Sequence, residues 1–258
     1  SPFRPPTERR RLIESSTRGS FTHNRRPTTW VTTDMGDHVR GVSVGEQIAT
    51  GRTSEVFRFG PNHVIKLLRA NTPSDWAELE ATFTRAVRSV GLPVPRVADL
   101  VVVDDRHGIV FERIGGPSMW TAMLERPRDV ERLVDEMVAL QRAVHATSVP
   151  DGLPSRAERM RAKIADVTYL DDDERARAIG MVDDLPSGGA VLHGDLHPGN
   201  VLMASSGPVL IDWFDAAVGH PVADVERTIL LLAPHGGTDL RHLPAATPNF
   251  LSDVSDAY

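Results

Sequence analysis

Residues 191–216 read VLHGDLHPGNVLMASSGPVLIDWFDA, and three oxygen-bearing side chains in this stretch decide the fold. Two short apolar runs, Val201–Ala204 and Val209–Ile211, flank the turn formers Ser205-Ser206-Gly207-Pro208, so the segment reads as a β-hairpin. Centred on Ser206, the hairpin sets position 200 opposite position 212. Asn200 and Asp212 then leave its open end together, with a Cα separation of roughly 5 Å. An amide oxygen and a carboxylate so placed are hard donors of the kind magnesium takes. Asp195 lies five residues before Asn200, on a loop containing Pro198 and Gly199. That loop can hold a second carboxylate beside a metal without coordinating it. Phosphoryl transfer needs this combination: charge neutralisation on the phosphates, and a separate carboxylate that takes the proton of the attacking hydroxyl. Any one of the three alone would read as a turn cap.

Upstream, period-2 patterns mark VSVGEQIAT (42–50), EVFRF (55–59) and HVIKLLR (63–69) as three antiparallel strands. The last two are joined by Gly60-Pro61-Asn62. A helix follows, with Ser74 at its cap and Trp76, Leu79, Phe83 and Val87 at helical spacing; Gly91 and Pro93 stop it. VADLVVVDD and HGIVFERI read as a hairpin turning at Asp104–Gly108. Past Gly115-Gly116-Pro117 the pattern becomes helical, over 129–147, 155–168 and 172–184. Strand signals return at 190–212, and a last helix covers 221–233. Sheet first and helices second predicts an α+β chain of two lobes joined around 112–117: an amino-terminal lobe over 35–115, an antiparallel sheet with one helix, and a mainly helical lobe over 116–258 that carries the hairpin. Residues 1–34, rich in Arg, Thr, Pro and Ser, read as an extension outside the core, with Met35 as a natural start. Tyr258 follows soon after Asp224, so the carboxyl-terminal lobe reads as a short variant or as one whose end is absent.

Composition narrows the partners. The chain has no cysteine, which excludes disulfides and cysteine-ligated zinc or iron–sulfur sites; a cytoplasmic location fits. Its apolar runs are too short to cross a bilayer. The net charge is −6; residues 1–34 carry +4, leaving −10 on residues 35–258. So acidic a body argues against nucleic acid and leaves room for a cationic small molecule. Of 29 basic residues only Lys66 and Lys163 are lysines. Lys66 lies in the apolar run VIKLL, where a charge needs a reason.

His193-Gly194-Asp195-Leu196-His197-Pro198-Gly199-Asn200, then Ile211-Asp212-Trp213, then Gly219-His220-Pro221-Val222-Ala223-Asp224, resemble the aminoglycoside phosphotransferase family of the protein-kinase-like fold. The resemblance is specific over 190–227 and looser over 42–235. It implies Asp195 as catalytic base, Asn200 and Asp212 as magnesium ligands, His193 fixing the catalytic loop and Asp224 buttressing it. It also implies ATP or GTP as phosphate donor. Lys66, on the third strand, would meet the nucleotide phosphates and a helix glutamate. Glu80 is the preferred glutamate over Glu78, being eleven residues ahead of Gly91-Leu92-Pro93-Val94-Pro95. The phosphate-covering loop, Ala49-Thr50-Gly51-Arg52-Thr53-Ser54-Glu55-Val56, departs from the kinase pattern in having one glycine. Backbone N–H groups from Arg52 to Ser54 could still cradle phosphate, with Gly51 at the turn and Val56 beyond it. Main-chain groups of Glu112 and Ile114 would read the nucleobase.

The acceptor implied is a small hydroxylated molecule: an aminoglycoside or other antibiotic, or a choline-like or sugar-like metabolite. A protein Ser/Thr kinase fits less well, because only eleven residues separate Asp212 from Asp224, too few for a regulated activation loop. An inactive nucleotide-binding module is the other rival, opposed by competent residues at every catalytic position. Asp171-Asp172-Asp173-Glu174 reads first as a helix start favoured by the dipole, and second as an acidic patch for a polyamine. His145 reads as structural, and a zinc site built from His193, His197 and His220 lacks suitable spacing.

Overall fold

The computed structural model describes residues 31–33, 38–39 and 42–233. Seven strands form one twisted sheet: β1 (Val31–Thr33), β2 (His38–Val39), β3 (Val42–Thr50), β4 (Ser54–Phe59), β5 (His63–Leu68), β6 (Val97–Val103) and β7 (Arg106–Glu112). Their order is β1-β6-β7-β5-β4-β3-β2. Every pair is antiparallel except β1 with β6, where Val31 pairs Val101. Residues 31–33 therefore join the sheet, contrary to the expectation that the whole of 1–34 stands outside it. Residues 1–30 and the start at Met35 lie outside the described residues.

Alternation along β5 sorts its side chains between two cores. Ile65 and Leu67 point into a cluster with Phe57, Phe59, Val101, Val103 and Val110. Val64 and Leu68 point the other way, into a cluster with Ala77, Ala81, Leu100, Ile109 and Phe111. Lys66 shares this second face by period, and that is the face on which helix α1 (Asp75–Ser89) lies. Helix α1 also reaches across the molecule: Phe83 and Val87 belong to the core of the second lobe, with Leu133, Met137, Leu196, Leu210 and Trp213. One helix thus ties the strand carrying Lys66 to the hairpin carrying Asp212.

The second lobe contains α2 (Met119–Glu125), α3 (Val130–Ala146), α4 (Arg156–Ala165), α5 (Asp172–Asp183) and α6 (Pro221–Leu232). Two small antiparallel ribbons complete it, β9 (Val201–Ala204) with β10 (Gly207–Leu210), and β8 (Ala190–Leu192) with β11 (Ala217–Gly219). The chain leaves the sheet through 113–118, where Met203 donates its N–H to the Pro117 carbonyl at 2.8 Å. Gly116 has φ +118° and comes so close to Met203 that a Cβ would sit 2.1 Å from its carbonyl oxygen. Only glycine fits this crossing.

Three local expectations need correction, and one helix was not expected. Ser74 precedes α1 but makes no side-chain cap hydrogen bond. The β6–β7 hairpin turns on Asp104 and Asp105 alone, both with positive φ (46° and 60°), as Asp tolerates. Gly108 is inside β7, where a Cβ would meet Leu67 Cδ2 at 2.5 Å. Helix α2, seven residues capped by the Ser118 hydroxyl accepting from Thr121 N–H, has no counterpart in the sequence reading because two turns hold too few apolar positions to show a period. The β9–β10 register pairs Leu210 with Val201 and Gly207 with Ala204, so the turn is Ser205-Ser206 and Asn200 lies opposite Ile211, one residue from the predicted partner. The Ile211 N–H donates to the Asn200 carbonyl at 3.0 Å.

Candidate active site

Loss of the predicted register would turn Asp212 to the wrong side, were the strand to continue. It does not: Asp212 adopts the left-handed conformation, φ 64° and ψ 62°, and the chain breaks into a 3-10 turn over Trp213–Asp215. The strained residue brings its carboxylate to Lys66, whose Nζ donates to Asp212 Oδ1 at 3.0 Å. The same ammonium donates to both oxygens of Glu80 at 2.8 Å. Glu80, from α1, is therefore the acidic partner of Lys66, the glutamate that the family resemblance implied. Lys66 and Glu80 are almost wholly buried, with 12% and 4% of their side chains exposed, whereas Asp212 keeps 40%. Lys66 holds the Asp212 carboxylate through Oδ1.

Two carboxylates share one ammonium, and their titration follows. Burial acts to lower the Lys66 ammonium, but the charges of Glu80 and Asp212 and their hydrogen bonds raise it above its ordinary value. Desolvation acts to raise the Asp212 carboxyl, and Lys66 more than offsets it. Glu80 is the group left unbalanced: burial raises it to about 7 from an ordinary 4.5, against Lys66 and with Asp212 adding to the rise. The folded chain keeps a proton on Glu80 at pH values where the unfolded chain has released it. This group's contribution to stability therefore declines as pH rises from about 4.5 to about 7. Melting without nucleotide should show the Tm of the parent falling relative to Glu80→Gln across that window. A difference that stays flat or rises with pH contradicts the assignment.

The loop between β8 and β9 is fixed from beneath by buried hydrogen bonds. Asp224, at the start of α6, accepts from the N–H groups of Gly194 at 2.7 Å and His193 at 3.2 Å. It also contacts His145 Nε2 at 3.0 Å and Gln141 Nε2 at 3.3 Å. Burial acts to raise Asp224, and the bonds to His145 and Gly194 with the nearby His193 keep it below its ordinary value. His193 is fully buried, packs on Trp213 with ring centroids 4.6 Å apart, and reaches the Ile211 carbonyl through Nε2 at 3.0 Å. Its Nδ1 accepts from the Asp195 N–H at 3.2 Å. Gly194 is left-handed (φ +81°), and a Cβ there would meet the Asp215 carbonyl at 2.4 Å. His197, lowered by burial, accepts from Gly199 N–H at 3.1 Å. His145, His193 and His197 each bond within this framework. Among the described residues no group of three or more His, Cys, Asp or Glu could hold a metal ion.

At the top of this loop Asp195 and Asn200 meet. Asn200 Nδ2 donates to the Asp195 carbonyl at 2.9 Å and lies 3.4 Å from Asp195 Oδ2. With the amide nitrogen so engaged, the amide oxygen is the side-chain atom that could meet a cation. A neutral oxygen from Asn200 and a carboxylate oxygen from Asp212 suit magnesium, which takes few protein ligands and completes its shell with phosphate and water.

Lys66, Glu80, Asn200 and Asp212 all line one cleft of about 570 Å³ between the lobes. Its deeper walls are apolar, from Val56, Val64, Phe111, Leu202 and Ile211, and its edge is Glu112–Ile114. A more open hollow of about 710 Å³ outside the same edge holds none of those four. Gly51 and Ser54 line the cleft, as expected; Arg52 and Thr53 do not. The loop is held by Arg69, whose Nε donates to the Gly51 carbonyl at 3.1 Å, and by Thr72 Oγ1, 3.1 Å from the Thr53 carbonyl. The Glu112 N–H donates to the Arg96 carbonyl at 2.9 Å and is therefore already taken up within the sheet. Asp195 is not among the lining residues; it lies beyond Asn200.

Two arrangements escape the sequence reading. Asp215 Oδ1 accepts from Lys163 Nζ at 2.7 Å and Arg159 Nη2 at 2.9 Å, which together hold it below its ordinary value against burial. Arg159 spreads over the rings of Phe83 and Phe214, 5.6 and 5.3 Å from their centroids. Arg227 Nη2 lies 3.4 Å from Asp195 Oδ1; its place three residues after Asp224, on the same side of α6, was the available signal. The run at 171–174 is a helix start: Asp171 and Glu174 form a reciprocal capping box on α5.

Comparison with known proteins agrees with this architecture. A family model described as the phosphotransferase enzyme family matches residues 44–246. A crystal structure of a thermostable mutant of aminoglycoside phosphotransferase APH(4)-Ia, in ternary complex with ADP and hygromycin B, is 21% identical with a TM-score of 0.54, covering 74% of this chain and 73% of that one. Aminoglycoside-3'-phosphotransferase of type VIII is 21% identical with a TM-score of 0.54, over 87% and 92%. A choline/ethanolamine kinase family protein from Mesorhizobium loti is 19% identical with a TM-score of 0.52, over 83% and 68%. No curated protein sequence matches the chain.

Proposed function

The chain belongs to the phosphotransferase enzyme family, and on that premise we propose that it moves the terminal phosphate of ATP or GTP onto a hydroxyl of a small molecule. The observation that carries this is the convergence of Lys66, Glu80 and Asp212 within hydrogen-bond distance, beside Asn200 and Asp195 joined by the Asn200 amide.

In this reading the nucleobase slides between Val56, Val64, Phe111, Leu202 and Ile211 and bonds to the edge at Glu112 and Ile114. The triphosphate runs under the Gly51 turn, where the Ser54 segment covers it. Glu80 holds the Lys66 ammonium where it meets phosphate oxygens as a compact point charge. Asn200 and Asp212 would hold magnesium, which supplies charge neutralisation to the phosphates. Asp195 orients the acceptor hydroxyl and takes its proton as the oxygen bonds to the terminal phosphorus and the bond to the leaving diphosphate oxygen breaks. Asp224 and His193 keep the loop rigid, so that Asp195 does not wander from the reacting oxygen.

The structural relatives bear names that include aminoglycoside phosphotransferase and choline/ethanolamine kinase, and both point to small hydroxylated acceptors. A protein acceptor is disfavoured by the short connection between Asp212 and Asp224, which runs through the 3-10 turn and β11 directly into α6. Phosphate transfer from γ-labelled nucleotide to a panel of hydroxylated small molecules, with and without magnesium, tests the proposal. Magnesium-dependent labelling of one class supports it; labelling of protein substrates alone overturns it.

A further inference from the structure

The charge around Asp195 differs from that of the body as a whole. Residues 35–258 sum to −10, but an acceptor at Asp195 feels mainly groups within a Debye length, about 8 Å at physiological salt. The described charged groups on the elements around the Asp195 loop are Arg156, Arg159 and Lys163 from α4, Asp212 and Asp215 at the 3-10 turn, and Asp224 and Arg227 from α6, of which Arg227 contacts the Asp195 carboxylate. Asp215 is taken up by Arg159 and Lys163. Asp224 is taken up by His145, Gln141 and the two backbone N–H groups. Among the described residues, two guanidinium groups keep donors that these pairings do not use. Among the described residues Arg227 has one partner, Asp195, at a long 3.4 Å, and its side chain is 35% exposed, so most of its donors are open.

Arg156 is the more telling. Its side chain lies over Gly219, where a Cβ would meet it at 2.9 Å, in the field of Asp215, Asp224, Arg227 and Arg159. Its Nε is buried without a hydrogen-bond partner among the described residues, although the side chain as a whole is neither buried nor fully exposed. Desolvation accordingly lowers its pKa. A lysine in such a place could shed its proton, but a guanidinium cannot. A half-buried guanidinium with a spare fork of donors is matched by a carboxylate or a phosphate, which accept two parallel N–H bonds.

We propose that the acceptor carries an anionic group, a carboxylate or a phosphate, close to the hydroxyl that is phosphorylated, and that Arg227 and Arg156 bind it. The proposal rests on the phosphotransfer reading above and names its substrate class. An amine-rich acceptor would instead bring its charge against Arg156 and the open donors of Arg227.

The test uses acceptor sets matched in hydroxyl and size but differing in charge: glycerate, glycerol and choline; gluconate, glucose and glucosamine; and glycerol phosphate as the phosphate-bearing probe. Each is offered to the full chain with magnesium and ATP, following phosphate transfer, and with a non-hydrolysable analogue, following binding by calorimetry. The anionic member of a set should bind or react at lower concentration than its neutral and cationic counterparts. Preference for glycerol phosphate over glycerate identifies a phosphate as the anion, and the reverse a carboxylate. Arg156→Gln should raise KM or Kd for the anionic member at least about ten-fold, the cost of a charge-assisted hydrogen bond. It should keep the nucleotide-dependent rise in Tm, and Arg156→Lys should recover part of the loss. Arg227→Gln should raise the same constant. Preference for a neutral or cationic member, equal response within every set, no binding by any anionic probe, or an Arg156→Gln protein that binds nucleotide and treats all members alike overturns the proposal. Transfer to a cationic acceptor would leave the phosphotransfer reading standing; absence of nucleotide binding would remove that reading itself.

Discussion

Asp195→Ala should lower phosphate transfer by roughly 10²–10⁴-fold, the range a positioned general base contributes, while nucleotide affinity stays close to that of the parent. The separation follows from which atoms of Asp195 do what. Asn200 Nδ2 is anchored by the Asp195 main-chain carbonyl at 2.9 Å, and its contact with the carboxylate is a longer 3.4 Å. Alanine retains the carbonyl, so Asn200 keeps its orientation toward the metal position. The Asp195 N–H bond to His193 is also retained, and with it the loop. Steady-state transfer and calorimetric nucleotide binding on one folded preparation check both halves. A fall of less than ten-fold, or a loss of nucleotide affinity in a folded protein, contradicts the assigned role.

Lys66→Met should weaken nucleotide binding or turnover by roughly 2–5 kcal/mol, about 30-fold or more, the usual consequence of removing one partner from a buried charge pair. Methionine fills the space of the stem, so the change isolates the ammonium. Glu80 and Asp212 then face each other without the cation that both contact. With Glu80 already raised to about 7, protonation will absorb part of that cost, and the protein should fold. Lys66→Arg should fail to restore activity, because a planar fork cannot sit within 2.8–3.0 Å of both carboxylates in the space of an ammonium. A Lys66→Met protein as active as the parent would remove the amino-terminal lobe from the proposal.

Much of this arrangement was legible because it is short-range or because it breaks a local pattern. The segment from His193 to Asp212 carries the loop, the hairpin and the three oxygen-bearing side chains within twenty residues, so their spacing alone points to one end of the hairpin. Lys66 stood out as a charge in an apolar strand, and strand alternation does place it on the face covered by α1. The hairpin register was misjudged by one residue because Gly207 and Pro208 look like turn formers but belong to β10. Asn200 and Asp212 line one cleft all the same, because left-handed Asp212 turns its side chain independently of strand parity. What stayed hidden depends on distant pairing. Nothing in residues 31–33 announces a partner at 101–103, and Arg227 looks like any helix arginine until α6 is folded beneath the Asp195 loop. The Glu112 N–H could not be assigned from sequence either, since its acceptor is the carbonyl of Arg96, set by how the chain enters β6.

The most direct trial is a crystal structure with magnesium and a non-hydrolysable ATP analogue. It should show the base between Val56 and Ile211, phosphate oxygens at Lys66, and the metal held by Asn200 and Asp212 with Asp195 free of it. An analogue bound elsewhere, or a metal that ignores Asn200 and Asp212, would contradict the account.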